Sequence, residues 1–363
     1  MEERGLAQRL HVDIPLLLGI LILCAIGLVV LYSAGNQNIE LVYRQGLKLG
    51  IAIVVMLLIA QVPPAELARW SVGLYLFGII LLVAVLFYGD IGKGAQRWLD
   101  LKVFRFQPSE LMKVSVPMLI AYYLADKSLP PGIIRILLVG ILILVPGFLI
   151  AKQPDLGTAL LVCAAGFSVL FIAGISWRLL MSLGILATAT APLLWYFMHD
   201  YQKRRVLTFL NPENDPLGAG YHTIQAKIAI GSGGFYGKGW LNGTQSHLEF
   251  LPERSTDFIF AVLCEEFGML GVLLLLSVYL FIIVRCLYIA VHAQHTFGRL
   301  LASGLTLTFF VYIFVNMGMV TGQLPVVGVP LPLISHGGTS MVTLLAGFGM
   351  LMAIHTHRRF MSF

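Results

Sequence analysis

The run IPLLLGILILCAIGLVVLYS at residues 14–33 decides the fold, because all twenty of its residues are uncharged. A helix of about twenty apolar residues spans the hydrocarbon core of a bilayer. In lipid, a spanning segment must be a helix or part of a closed barrel, and continuous rather than alternating apolar runs favour helices. The run therefore predicts a transmembrane helix. It has no small-residue cleavage site, so we expect no cleaved signal peptide.

Comparable runs recur along the rest of the chain. Its 363 residues are 58% hydrophobic and 12% charged, with a mean hydropathy of +0.87. Soluble domains carry about 25% charged residues, so this balance indicates an all-α polytopic membrane protein. About ten transmembrane helices are predicted, at residues 14–33, 47–62, 72–89, 108–124, 133–151, 157–173, 178–197, 258–284, 299–320 and 340–356.

Only two of the intervening segments are longer than short links. One is a large loop at about 198–257, and the other is a strongly polar segment at 90–107. No internal repeat or second domain is visible, so residues 1–363 are interpreted as a single transmembrane domain with one large extracytoplasmic loop. The cysteines lack metal-ligand spacing and are interpreted as packing residues. They are Cys24, Cys163, Cys264 and Cys286.

The orientation follows weakly from the charges. An even number of spans places both termini on one side, and the short loops on that side have a small excess of Lys and Arg, which favours the cytoplasm. The opposite loops also hold many cations. These indicate either an anionic ligand on the outer face or contacts with anionic headgroups.

The segment Leu251–Asp257 (LPERSTD) joins the large loop to a long apolar run. Asp257 is suited to cap the helix expected from Phe258, but Glu253 and Arg254 beside it exceed what a cap requires. Ionisable groups at a membrane surface usually serve chemistry or transport. Further along, Glu265 is expected on nearly the same helical face as Asp257, and both it and Glu266 are expected to face the bundle interior.

Other polar positions allow a structural and a functional interpretation side by side. Arg97 and Lys102 lie in a glycine-containing loop that fits either phosphate oxygens or a membrane interface. Glu110 and Lys113 are spaced i, i+3 in a helix beginning near Pro108, so they form either an ion pair or part of an anion site. Asp155 can cap the next helix and still serve a site at the same face.

The large loop contains three recognisable stretches. A basic cluster near its start includes Arg204 and Arg205, and residues 221–230 are typical of a short interfacial helix. The segment GSGGFYGKG at 231–239 is not a P-loop, because Ser232 and Gly239 occupy positions where that motif needs Gly and Ser or Thr. Nucleotide binding is therefore rejected. Asn316, His336 and His355 are interpreted as structural.

Five segments together resemble the SEDS family (shape, elongation, division and sporulation), and within it the rod-shape-determining branch. They occur in order over essentially the whole chain. They are KGAQRWLD at 93–100, RFQPSE at 105–110, QPDLGT at 153–158, DPLGAGYH at 215–222 and LPERSTDFIF at 251–260. Two departures are visible: Ser255 replaces an expected His, and His336 replaces a more usual Tyr.

The resemblance implies a ten-span fold with both termini cytoplasmic, in the bacterial inner membrane. It implies polymerisation of lipid II into peptidoglycan during elongation, with the growing glycan strand as second substrate. A class B penicillin-binding protein, the transpeptidase, is the expected partner beside other membrane proteins of the elongation complex, and no nucleic acid is expected. The family's essential aspartate corresponds to Asp257, and its other sensitive positions to Arg97, Glu110, Lys113 and Asp155.

Under this resemblance Asp257 is the general base of an inverting single displacement. Arg97 and Lys113, with Lys102, Arg204 or Arg205, are expected to stabilise the leaving diphosphate. Glu253 and Arg254 are also expected at the substrate. A divalent cation, Mg²⁺ or Mn²⁺, is possible with Glu110 and Asp155 as ligands.

Two other classes of function stay open. A flippase for the lipid precursor would place its binding groups near the membrane midplane on repeated halves, whereas these charges cluster at one face. A non-catalytic scaffold for the transpeptidase would leave the outer charges without a purpose.

Overall fold

Ten long helices occupy the places where ten spans are predicted. The computed structural model describes residues 11–92, 95–100, 105–198, 200–214, 219–247 and 253–357. The helices before the large loop are α1 (Ile14–Ala34), α2 (Ile39–Ala60), α3 (Pro64–Tyr88), α4 (Pro108–Ala125), α5 (Ile133–Lys152), α6 (Leu156–Ile172) and α7 (Trp177–Phe197). The loop contains α8 (Asp200–Leu210), α9 (Ala219–Gly233) and α10 (Thr244–His247), and α11 (Ile259–Val291), α12 (Thr296–Val320) and α13 (Thr339–Thr356) follow.

The helices confirm a polytopic all-α membrane fold. Seven of them are long and apolar enough to cross a membrane by length and composition, and α6 and α7 contain shorter apolar stretches. The predicted ends are less accurate, because hydropathy does not register polar helical turns. Helix α2 begins at Ile39 rather than 47, since the Asn38 side chain accepts a hydrogen bond from Leu41 N and caps it. Helix α3 begins at Pro64 rather than 72.

The sequence predicted a polar loop at 90–107, but this segment is not a plain loop. It contains three short antiparallel strands, β1 (Asp90–Gly92), β2 (Ala95–Asp100) and β3 (Arg105–Phe106), in the order β1-β2-β3. Residues Leu99 and Asp100 of β2 pair with Phe106 and Arg105. Strand β3 leads directly into α4, so this small sheet fixes Arg97 at the start of that helix.

The alternating helix directions define two faces of the molecule. The loop face carries the small sheet, the large loop and the N-terminal ends of α4, α6, α11 and α13. The termini face carries the start of α1 and the end of α13. Every candidate site residue within the described part of the chain is therefore on the loop face.

The core is formed around α4 and α12, which have the largest buried fractions among the described spanning helices. Small residues allow close approach of helices in a membrane, where the hydrophobic effect contributes little. A Cβ atom added to Gly304 of α12 would lie 2.4 Å from Val169 Cγ2 of α6, so glycine is required for this contact. All four cysteines are free, and Cys24, Cys264 and Cys286 are buried, which agrees with their interpretation as packing residues.

Helix α11 is broken at Gly268, where φ is +59°. The glycine-rich segment 233–239 of the large loop supplies the missing backbone partners. Lys238 N and Gly239 N donate to the carbonyls of Glu265 and Glu266 at 3.0 Å, while Met269 N donates to Gly234 O at 3.1 Å. We call this arrangement the glycine clamp. It explains the glycines that resemble a nucleotide-binding motif, because they serve close backbone contact.

The two glutamates at the break strengthen the clamp. Both are buried, as predicted. Glu265 accepts hydrogen bonds from Lys238 Nζ at 2.7 Å, Thr244 Oγ1 at 3.1 Å and Gln245 N at 3.0 Å. Glu266 accepts a hydrogen bond from the Ser33 hydroxyl of α1. The large loop is thereby fixed to α11 and, through Glu266, α11 is fixed to the end of α1.

Candidate active site

Asp257 lies in the turn Glu253–Phe258, immediately before α11. The prediction that it is the N-cap of this helix is wrong: Phe258 occupies the N-cap position, and its side chain makes no capping hydrogen bond. The expectation that Glu265 continues its helical face also fails, because Asp257 is outside the helix. Glu253 closes the turn, since its carbonyl accepts from Thr256 N at 3.0 Å and its Oε2 accepts from Thr256 Oγ1 at 2.8 Å.

Three successive carbonyl groups of this turn are held by distant residues. Ser255 O accepts from His336 N at 2.8 Å. Thr256 O accepts from Ser335 Oγ at 2.6 Å, and Asp257 O accepts from Asn316 Nδ2 at 2.9 Å. We call these contacts the backbone lock. Because they use only main-chain atoms of the turn, they orient Asp257 without occupying its carboxylate.

Asn316 is the deepest member of the lock, with 0% of its surface exposed. Its Nδ2 also donates to Val329 O at 2.6 Å, so one amide joins the Asp257 turn to a second segment. The preceding residue, Gly328, has φ +77°, and a Cβ atom there would lie 3.5 Å from Asp257 Oδ2. The carboxylate therefore lies against the backbone of Gly328.

A second group of polar residues surrounds Asp155, which caps α6 as predicted. Asp155 accepts hydrogen bonds from Thr158 N at 3.2 Å, from Thr158 Oγ1 at 2.9 Å and from Gln107 Nε2 at 3.2 Å. Arg97 Nη1 of β2 lies 3.5 Å from Asp155 Oδ2. The Arg97 Nε is buried without a hydrogen-bond partner among the described residues. Arg97 thus retains a donor for an anion.

Glu110 and Lys113 form the buried pair that their spacing predicts. Lys113 Nζ lies 2.6 Å from Glu110 Oε1, and both residues are less than a tenth exposed. Thr343 Oγ1 of α13 lies 3.2 Å from Glu110 Oε2. Lys113 Nζ also lies 4.9 Å from the centre of the Tyr312 ring, a cation–π distance. A buried pair with several contacts is held rigidly, whatever further role it has.

This pair forms the polar end of a cavity between α4, α12 and α13. The cavity encloses about 700 Å³, including its open side. Its other walls are largely apolar, and Ser335 of the backbone lock is also in its lining. A space with one charged end and apolar walls fits a molecule that carries both an anionic group and a hydrocarbon chain.

The segment Val327–Val329 is the neighbour that the three groups share. A Cβ atom on Gly157, two residues after Asp155, would lie 2.6 Å from Val327 O, so α6 begins against this segment. Gly328 contacts Asp257, and Val329 contacts Asn316. Val329 is followed by Pro330, which lines the cavity beside Glu110 and Lys113. The predicted site residues therefore converge on one strip of backbone.

The remaining predicted residues do not all reach this strip. Lys102 lies outside the described residues, as does the side chain of Arg204. Arg205 lines a separate small pocket with Thr223 of α9 and the segment at 324–326. Glu253 is engaged in its own turn, and Arg254 is half-buried beside it.

The sequence did not single out three residues of the site. Asn316 and Ser335 were missed because their partners are backbone carbonyls, which leave no local pattern. His222 stacks on Phe258 with ring centres 5.8 Å apart, and its Nδ1 is buried without a partner in the described residues. Burial lowers the pKa of His222, and the charge of Glu253 only partly opposes this. A neutral imidazole therefore lies beside the Asp257 turn.

The carboxylates do not fit a resident divalent cation. The described residues contain no cluster of three His, Cys, Asp or Glu side chains that could hold a metal ion. Glu110 is bound to Lys113 and Thr343, and Asp155 is bound to Thr158 and Gln107. Each predicted ligand is thus already engaged with protein donors, and we derive no step through a bound metal.

The comparisons with known proteins agree with this fold. Residues 10–360 match the family described as cell cycle protein and named for FtsW, RodA and SpoVE. The peptidoglycan glycosyltransferase MrdB of Escherichia coli K12 is 53% identical over 356 residues, which cover 98% of this chain and 96% of that protein.

Two solved structures have the same architecture. A chain of a peptidoglycan synthase complex, described for its coordination of polymerisation and crosslinking, gives a TM-score of 0.84 at 33% identity and covers 94% of this chain and 97% of that one. The rod shape determining protein RodA of Thermus thermophilus gives a TM-score of 0.72 at 29% identity, covering 94% and 96%. This chain therefore belongs to the FtsW/RodA/SpoVE family of polytopic membrane proteins, and its similar proteins include RodA members.

Proposed function

We propose that this chain is a peptidoglycan glycosyltransferase that polymerises lipid II, with Asp257 as its general base. The observation that carries the proposal is the backbone lock, which fixes the turn containing Asp257 at the loop face through main-chain atoms alone. The name shared by the relatives, peptidoglycan glycosyltransferase, supports the reaction class.

The reaction requires a base and a cationic environment for the leaving group. The acceptor hydroxyl oxygen attacks the anomeric carbon of the donor sugar, and the bond from that carbon to the diphosphate breaks with its electron pair on the diphosphate. Asp257 takes the proton of the hydroxyl. Inversion follows because the attacking and leaving oxygens are on opposite sides of the carbon.

Arg97 and Lys113 are the cations best placed to stabilise the departing diphosphate. Each is held by a carboxylate, Asp155 for Arg97 and Glu110 for Lys113. Cations fixed before the reaction stabilise developing negative charge without reorganisation. Lys102, Arg204 and Arg205 are further candidates from the sequence. A divalent ion that enters with the diphosphate is a separate proposal, to be tested by assay in the presence of a chelator.

The site supports catalysis more than translocation. A flippase needs polar groups along a path through the membrane, whereas Asp257, Arg97 and Asp155 all lie at the loop face. A scaffold would not need an acidic turn whose backbone is fixed by three contacts. Location in the bacterial inner membrane with cytoplasmic termini and an outer loop face completes this proposal.

A class B penicillin-binding protein is the proposed partner, together with other membrane proteins of the elongation complex. The similar chain in the peptidoglycan synthase complex supports such an association. Comparing polymerisation by the purified chain with and without the transpeptidase would establish whether the partner is needed for activity.

The variant Asp257→Asn tests the base directly. Asparagine keeps the main-chain carbonyl that Asn316 binds, so the backbone lock is retained while the proton acceptor is lost. We expect the rate of glycan chain formation from lipid II to fall roughly 10²–10⁴-fold, the usual contribution of general-base catalysis. Gel separation of the labelled glycan products measures this rate.

A matched control removes a carboxylate from the opposite face. Asp126 is exposed at the C-terminal end of α4, and Asp126→Asn should polymerise lipid II at the normal rate. If Asp257→Asn also retained the normal rate, Asp257 would not be the base. Lipid transfer across liposome membranes without any glycan product would instead favour the flippase.

A further inference from the structure

A second cation lies close to the Asp257 turn, and the reaction as proposed above does not use it. Lys48 belongs to α2, ten residues into that helix, and its side chain is only partly buried. Its polar partner is the ring of His336, with Lys48 Nζ 3.4 Å from Nε2. No carboxylate lies within 4.0 Å of Lys48 among the described residues, whereas Arg44 on the same helix is paired with Glu40.

An unbalanced lysine in a spanning helix is unusual. Ionisable residues at membrane depth are costly, and they are usually paired or mark the path of an anion or ion. The imidazole of His336 does not neutralise Lys48. Burial and the neighbouring charge of Lys48 lower the pKa of His336, so the ring is neutral at pH 7. The pair therefore has a net positive charge.

The position of Lys48 connects it to the reacting groups. Its Cδ would lie 3.9 Å from a Cβ atom on Gly338, the residue that precedes α13. His336, its partner, donates through its backbone N to Ser255 O in the backbone lock. Lys48 thus reaches the beginning of α13 from α2, whereas Glu110, the partner of Lys113, reaches α13 from α4 through Thr343.

Lys48 is also accessible from the lipid side. The residues around it on α2 include exposed apolar side chains that form a lipid-facing surface: Tyr43, Leu47, Ile51 and Val54 are each more than half exposed. A lipid whose hydrocarbon chain lies along this surface would bring its phosphate groups to Lys48. Gln45, one turn away, is bound to Ser335 O and Gly337 N and holds α2 in this register.

We propose that Lys48 and His336 form a second binding site for a lipid-linked diphosphate, reached along the lipid-facing surface of α2. The identity of the occupant rests on the proposed function. Polymerisation joins two chains that each carry a lipid diphosphate, so two anions must approach one base. Arg97 and Lys113 hold one of them, and Lys48 holds the other.

Native mass spectrometry tests the proposal without turnover. The purified protein is mixed with a polyprenyl diphosphate lacking sugars, and the number of bound lipids is counted. We expect up to two on the natural protein and one on Lys48→Met, which keeps an apolar stem of similar length. Lys48→Arg should restore binding of the second lipid. If the Met variant does not fold, Lys48→Gln replaces it and should also bind one lipid.

Two controls identify the chemistry of the ligand. Lys127→Met removes an exposed charge at the termini face and should bind two diphosphate lipids. The uncharged polyprenol should bind equally to all variants. Equal binding of the diphosphate to the natural protein and Lys48→Met would overturn the proposal. Displacement of the second lipid by an equal concentration of phosphatidylglycerol would overturn its assignment to a diphosphate. Absence of glycan synthesis by the natural protein would contradict the proposed function alone.

Discussion

At the scale of single residues, Asn316 determines where the proposed base points. Its amide hydrogen atoms are shared between Asp257 O and Val329 O, and its Oδ1 is buried without a partner among the described residues. A buried amide that leaves an acceptor unsatisfied is destabilising. The two bonds it makes must therefore more than offset this, and both are made to backbone beside the site.

Replacing Asn316 with valine should reduce turnover while leaving substrate affinity unchanged. Two buried carbonyls would lose their donor, which costs about 1–3 kcal/mol each if water does not replace it. Because Asn316 has no exposed surface, it cannot touch the substrate. We expect kcat to fall roughly 10-fold or more, with KM for lipid II within about twofold of the natural value, as measured by initial rates of glycan synthesis.

Thr306→Val is the matched control for this prediction. Thr306 is also almost fully buried on the same helix, but its hydroxyl donates to the helix carbonyl of Ala302 at 2.7 Å and contacts Cys286, both away from the Asp257 turn. Its replacement should leave kcat unchanged. Equal loss in both variants would assign the effect to helix stability rather than to the lock.

At the scale of elements, the glycine clamp stabilises helix α11 at its break. A break in α11 would leave carbonyls and N–H groups unpaired in the membrane, which costs several kcal/mol per group. The loop segment pairs with Glu265, Glu266, Met269 and Leu270 at the break. A sequence that looks like a flexible linker therefore belongs structurally to a transmembrane helix.

Three glycine-to-alanine changes distinguish the need for a positive φ in the clamp from the need for a close backbone approach. Gly231 has open space and an ordinary φ, and Gly234 has open space but φ +56°. Gly237 has φ +79°, and its Cβ would lie 2.1 Å from Glu266 O. We expect no destabilisation for Gly231→Ala and about 1–2 kcal/mol for Gly234→Ala from backbone strain. For Gly237→Ala we expect a larger loss of stability than for either of the other variants, because overpacking adds about 1–3 kcal/mol to the backbone strain.

Thermal unfolding in detergent measures the order of stability among the three variants. Limited proteolysis of the large loop should follow it, with Gly237→Ala cleaved fastest. If Gly237→Ala were as stable as Gly231→Ala, the close approach of the loop to α11 would be wrong.

At the scale of the whole molecule, an ion pair on the termini face joins three helices far apart in sequence. Asp13 caps α1, accepts from Arg285 of α11 at 2.7 and 3.0 Å, and lies 3.3 Å from His355 of α13. Burial alone would raise the pKa of Asp13, but its hydrogen bonds to Arg285 and Leu16 N outweigh this and lower it. The carboxylate is thus more acidic in the folded protein than in the unfolded chain.

The stabilisation from Asp13 should therefore disappear in acid. A lowered folded-state pKa adds stability above the unfolded value, about 3.9, and this is lost as the pH falls through the folded-state value. At pH 7, Asp13→Asn should destabilise the protein by less than the roughly 3–5 kcal/mol of a fully buried pair, because Arg285 is 23% exposed. The difference from the natural protein should narrow below about pH 4.

Thermal unfolding at pH 7 and at pH 4 or below measures this difference. Asp126→Asn on the same face serves as control and should show no difference at either pH. A constant difference between Asp13→Asn and the natural protein would mean that the carboxylate charge is not what stabilises α1 against α11.

The sequence predicted those features that depend on near neighbours. Helix α1 was placed to within a residue because Asp13 and Gly35 bound one apolar run, and Pro108 marked the start of α4. The break at Gly268 was missed because the sequence is apolar on average on both sides of it and its partners lie about thirty residues earlier. Asp257 was identified by family resemblance, but the bond from Asn316 crosses 59 positions, beyond the reach of any local pattern.

The backbone lock also imposes an order in time. The residues that orient Asp257 all follow it in the chain: Asn316 in α12, then Ser335 and His336 before α13. During synthesis, the carboxylate therefore emerges before any of the contacts that aim it. A chain interrupted before residue 335 carries the acid with only one of its three backbone contacts, the bond from Asn316. We therefore expect a partly synthesised chain to be inactive even though Asp257 is already present.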